Sequence, residues 1–159
     1  MTLFVEATVL SRSGDMWDVY GEADLFLVTS NSFVKKDERL VMGAGIAKEA
    51  LDRFPNIDLR LGQAIQFEDK HLGVYGLLVS FNWESGQKLG LFQVKRSHKN
   101  DADLSIIETS TNALIDWCKH YPDAKVHLNF PGIGYGRLSP DDVIPIIVWL
   151  PDSVAVWRN

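Results

Sequence analysis

The sequence predicts an α/β fold in which a sheet is covered by helices on both faces. Short strand-like runs alternate with helix-like segments along the chain. Leu25-Phe26-Leu27-Val28-Thr29 is continuously apolar, as a strand buried on both faces must be. Two glycine loops, Met42-Gly43-Ala44-Gly45-Ile46-Ala47 and Gly132-Ile133-Gly134-Tyr135-Gly136, each follow an apolar run and precede a helix-like one.

In chain order, residues 3–10 are rich in β-formers and end in the turn-like Ser11-Arg12-Ser13-Gly14-Asp15. The buried strand at 25–29 leads to Asn31. Beyond the first glycine loop, Ala47, Ala50, Leu51 and Phe54 recur at helical spacing until Pro55 ends the pattern, with Glu49 and Arg53 set to pair one turn apart. Residues 74–81 and 89–94 read as two strands, with Glu84-Ser85-Gly86-Gln87 as a hairpin turn. Asp101 or Asp103 caps a helix whose apolar stripe is Leu104, Ile107, Thr111, Leu114, Ile115 and Cys118. Residues 126–130 form a strand that runs into the second glycine loop. Ser139-Pro140-Asp141-Asp142 starts another helix, which Pro145 must shorten or kink before a last strand near 154–157.

Composition bounds the function. At 159 residues the chain fits one domain, 1–159. The N-terminus lacks a basic region and Glu6 interrupts any signal-like core, so a soluble cytoplasmic protein is expected. A net charge of −5 gives no general attraction to nucleic acid, and the one basic cluster is Lys95-Arg96-Ser97-His98-Lys99. The single cysteine, Cys118, falls on the apolar stripe and reads as packing. The four histidines show no ligand spacing, and Asp101 with Asp103 reads as capping, so neither a metal nor a cofactor is expected.

The glycine loops point to a phosphate. Without a Cβ, backbone can approach a ligand closely, and a helix N-terminus presents unpaired N–H groups and a positive dipole end to an anion. A diphosphate clasped between two such loops needs no lysine or metal. Each candidate also has a plainer reading. The loops serve equally as turns, Asp15 as a turn residue, Asn31 as a strand-end cap, Lys95 as a solvated strand-end lysine and Tyr135 as an exposed loop aromatic.

Taken in order, Gly14-Asp15-Met16, the strand through Thr29-Ser30-Asn31, the loop from Met42 to Ala47 and Pro131 to Gly136 resemble the macrodomain family from about Leu3 to Trp157. The resemblance implies a three-layer α/β/α sandwich with a central mixed sheet that binds ADP-ribose, and a monomer is expected. By it, Asp15 and Met16 meet adenine, Gly43, Ala44, Gly45, Ile46 and Ala47 with Gly132, Ile133, Gly134, Tyr135 and Gly136 embrace the diphosphate, and Asn31 and Tyr135 attend the distal ribose. The first glycine loop with Arg53-Phe54-Pro55, and the segment Gln93 to His98, are most similar to the branch of terminal ADP-ribose protein glycohydrolase and the antitoxin macrodomains acting on ADP-ribosylated DNA. That likeness makes Lys95 the nucleophile, its pKa lowered by Arg96 or by desolvation. The position of the branch's late-loop acid is Gly136. The implied activity is hydrolysis of ADP-ribose from a protein or nucleic acid. The alternatives are a non-catalytic binder of ADP-ribose or a related NAD-derived signal, which Gly136 favours, and a phosphatase acting on ADP-ribose 1″-phosphate.

Overall fold

The structure, a computed structural model, describes residues 14–68, 73–79 and 88–158. The strand expected over 3–10 and the hairpin turn at 84–87 lie outside these residues. A 3₁₀ segment, Met16–Glu22, leads into β1, Leu25–Ser30. Then come α1, Gly45–Arg53; α2, Ile57–Glu68; β2, Leu77–Val79; and β3, Leu89–Gln93. The chain continues with α3, Leu104–His120; β4, Val126–Asn129; α4, Pro140–Ile147; and β5, Val154–Trp157.

The five described strands lie in the order β2-β3-β1-β4-β5. Only β2 runs antiparallel, against β3, so the sheet is mixed as expected. β1 sits at the centre and alternates its side chains between two cores. Phe26 and Val28 face one layer, built from Met16, Trp17, Ala47 and Ala50 with Ile57, Leu61 and Ile65 of α2. Leu25 and Leu27 face the other, where Ile107, Leu114 and Cys118 of α3 meet Val143 and Ile147 of α4. The result is the three-layer α/β/α sandwich, with Cys118 in packing.

Local signals explain most boundaries. Asp103, not Asp101, caps α3 by accepting the Ser105 N–H at 2.8 Å. The helix buries Ile107, Thr111, Leu114 and Cys118 of the expected stripe together with Ile106 and Ser110, while Ile115 is only partly buried and Leu104 is exposed at its first turn. Ser139 caps α4 and Pro140 opens it; with Pro145 inside, α4 ends after only eight residues. Glu49 and Arg53 do not pair with each other. Both turn to Trp17: Glu49 Oε1 accepts its indole N–H at 2.9 Å, and the Arg53 guanidinium stands 4.4 Å from the ring centroid. The helix α2 is absent from the sequence reading, although Ile57, Leu61 and Ile65 recur every four residues.

Candidate functional site

At the carboxyl ends of the parallel strands, β1 and β4 part company. Their backbone register stops at Leu27 opposite Leu128. Beyond it the Asn129 side chain stands in for a neighbouring strand, its Oδ1 accepting the Thr29 N–H at 2.9 Å and its Nδ2 donating to Thr29 Oγ1 at 2.8 Å. Connections from β1 run towards β3 and those from β4 towards β5, so this is where the winding of the sheet reverses and a crevice opens. A cavity of about 530 Å³ fills it, well within the range of small-ligand sites.

Every candidate named from the sequence lines this cavity: Asp15, Met16, Asn31, both glycine loops and Lys95. The loops are brought face to face. α1 begins at Gly45 without a side-chain cap, leaving the amides of its first turn to the cavity. Gly45 has φ +59°, and a Cβ there would stand 3.4 Å from the Tyr135 ring. Tyr135 therefore crosses from the late loop to lie over the early one while staying largely exposed.

Two candidates carry structural duties as well. Asp15 Oδ1 accepts the Trp17 N–H at 3.0 Å, which caps the 3₁₀ segment and fixes the carboxylate at the rim. Asn31 is buried; its Oδ1 accepts the Phe33 N–H at 2.8 Å and its Nδ2 donates to the Val41 carbonyl at 3.1 Å. The turn and cap readings of these residues hold, and both remain on the cavity wall.

Lys95 lies just past β3, half-buried, with Nζ donating to the Asn100 carbonyl at 3.1 Å. Its backbone is braced by Gln93, whose buried amide accepts the N–H groups of Tyr75 and Gly76 at 2.8 and 2.9 Å. The same amide donates to the carbonyls of Gly73 and Lys95 at 2.8 and 3.2 Å. Burial holds the Lys95 pKa below the usual lysine value; the Asp101 carboxylate opposes this and the Arg137 guanidinium adds to it. Of the two expected causes, burial is thus the larger effect, and Arg137 is a further cation acting on Lys95. Arg96 instead helps to hold the Asp103 carboxyl low, after the larger effect of the Ser105 hydroxyl.

The sequence reading missed Asn129, Phe130, Arg137, Trp157 and Arg158, which also line the cavity. Position alone could have found them, since each ends a strand, follows one, or follows a glycine loop. Among the described residues no group of three or more His, Cys, Asp or Glu side chains could hold a metal ion. No described helix is long and apolar enough to cross a membrane.

No protein-family model and no curated protein matches the chain. Solved structures do. The macrodomain of Mycobacterium tuberculosis DarG is similar at 24% identity and a TM-score of 0.68, over 93% of this chain and 97% of that one. Thermosipho africanus DarTG, solved in complex with ADP-ribose, is similar at 20% identity and 0.68, over 92% of this chain. This chain spans only 41% of that longer one. The macrodomain of Thermus aquaticus DarG matches at 17% identity and 0.66, over 92% and 95%. These likenesses are of backbone, and the chain has the macrodomain fold.

Proposed function

We propose that the chain binds ADP-ribose and hydrolyses it from a modified target through Lys95. The observation that carries this reading is convergence: one cavity holds two opposed glycine loops, a fixed carboxylate at one rim and a lysine of lowered pKa at another. The adenine amino group would donate to Asp15, with Met16 alongside. The diphosphate would lie between the first-turn amides of α1 and the loop 132–136, which offer N–H donors without cationic side chains. The distal ribose would then reach Asn31, Lys95 and Tyr135. A neutral Lys95 amine would attack the anomeric carbon C1″ and expel the target group, and its partial burial favours the neutral form. The ADP-ribose bound in the similar Thermosipho protein supports the ligand.

Calorimetric titration with ADP-ribose, with AMP as control, tests the binding half. Micromolar affinity for ADP-ribose well above that for AMP is expected, and an equal response to both would leave only a generic adenylate site. For the catalytic half, Lys95→Ala should abolish turnover of an ADP-ribosylated substrate while nearly preserving ADP-ribose affinity. Loss of affinity in that variant would recast Lys95 as an electrostatic anchor. The second reading, a binder without catalysis, rests on Gly136 and predicts ADP-ribose binding with no turnover by the native chain.

A further inference from the structure

At the far end of the cavity from Lys95 stands a cation that a diphosphate clasped by two glycine loops does not use. Lys95 follows β3 and Arg158 follows β5, with β1 and β4 between, so their strands are three spacings, about 14 Å, apart. Arg158 lines the cavity, and its guanidinium carbon lies 5.8 Å from the centroid of the Phe130 ring, within reach of a cation–π contact. The strand end beneath it is anchored twice. The Trp157 carbonyl accepts the Phe130 N–H at 2.7 Å, and the Trp157 indole N–H donates to His127 Nδ1 at 2.9 Å. Among the described residues no carboxylate pairs with Arg158. The other cavity cations lie elsewhere: Lys95 and Lys99 belong to the segment after β3, and Arg137 pairs with Asp101 of that segment.

With the distal ribose at Lys95 and the diphosphate between the loops, the adenosine ribose falls towards the ends of β4 and β5, beside Arg158. Backbone N–H groups hold the diphosphate, which leaves this guanidinium without an anion. An unpaired planar fork of N–H donors suits bidentate recognition of a phosphate. We propose that Arg158 forms a subsite for a phosphate monoester on the adenosine ribose, so that the ligand class is ADP-ribose phosphorylated at its 2′ or 3′ hydroxyl; this rests on the ADP-ribose reading above. The 2′ compound is what remains of NADP once nicotinamide is lost. Sites that select the unphosphorylated ribose place a carboxylate against its hydroxyls. Here the two acids lining the cavity, Asp15 and Glu49, are both bonded to Trp17, which packs in the core on the other face of the sheet from Phe130.

Calorimetry with ADP-ribose, 2′-phospho-ADP-ribose and 3′-phospho-ADP-ribose tests the subsite. The native chain should bind one phosphorylated form at least ~10-fold more tightly than ADP-ribose in low salt, and the preference should shrink as salt rises. Arg158→Gln should remove most of that preference, the loss falling on the phosphorylated form. Arg158→Lys, which keeps the charge without the fork, should retain part of it. Native binding of both phosphorylated forms no tighter than that of ADP-ribose would overturn the subsite, as would a preference that survives Arg158→Gln. An equal loss of affinity for all three ligands in a folded Arg158→Gln would make Arg158 a stacking partner of the adenosine and overturn it too. Failure of the native chain to bind any of the three would bring down the ADP-ribose reading instead, and this inference with it.

Discussion

At the scale of single residues, the site depends on side chains that satisfy backbone groups while facing the cavity. Gln93 makes four hydrogen bonds with its amide, all to the segment 73–76 or to Lys95. Gln93→Leu keeps the volume roughly similar but strands the N–H groups of Tyr75 and Gly76, at about 1–3 kcal/mol for each group left buried, and takes one donor from the carbonyls of Lys95 and Gly73, the latter still accepting the Ser32 hydroxyl at 2.6 Å. A fall in chemical-denaturation stability of more than ~2 kcal/mol is expected, together with a loss of turnover exceeding the loss of ADP-ribose affinity. Arg137 acts on Lys95 through charge alone. Its cation favours the free amine, so the rate should rise with pH through a lysine pKa already below the ordinary value. Arg137→Gln should move that midpoint upward and Asp101→Asn downward. Because Arg137 is exposed, the Arg137→Gln displacement should shrink in high salt. A pH profile unmoved by either change would mean that burial alone sets the lysine.

At the scale of elements, glycines decide where segments can meet, and one of them reverses a common rule. Replacing glycine by alanine inside a helix ordinarily stabilises it by about 1 kcal/mol. In α2 a Cβ on Gly62 would run into the Glu38 carbonyl oxygen, a backbone atom that cannot rotate away. Gly62→Ala should therefore lower the melting temperature, and a rise would show that the 37–40 turn yields easily. This close approach also explains why α2 escapes the sequence reading: Pro55 marks the end of α1 and Gly62 interrupts the pattern, although Ile57, Leu61 and Ile65 carry the right period. Strong caps were legible, at Ser139 and at Asp101 or Asp103, of which Asp103 is the one used, because a side chain bonding to its own neighbours needs no tertiary information. The Trp17 cluster with Glu49 and Arg53 was not, since it joins residues 32 positions apart that only packing brings together. Likewise the glycine loops were legible as phosphate-binding candidates, whereas the contact of Tyr135 with Gly45 depends on both loops reaching one crevice.

At the scale of the whole molecule, the crevice lies between strands whose side chains belong to two separate cores. The early loop grows out of the layer containing Ala47 and Ala50, and the late loop packs through the layer containing Ile107 and Leu138. A ligand held by both loops would tie the two layers together across the gap that opens after Leu27 and Leu128. Ligand that binds only the folded chain stabilises it by mass action, by roughly 2.7 kcal/mol at a concentration one hundred times Kd. For a domain of this size each kcal/mol corresponds to about 2–4 °C, so saturating ADP-ribose should raise the melting temperature by ~5–11 °C. AMP, too short to span from the Asp15 rim to Lys95, should bind more weakly and give a much smaller rise at equal concentration. Gly45→Val separates binding from folding, because its side chain would press on the exposed Tyr135 ring and favours a different φ, while leaving both cores intact. That variant should keep most of the native melting temperature without ligand and lose most of the ADP-ribose-induced rise. Equal rises in the variant and the native chain would place the ligand outside the clasp of the two loops.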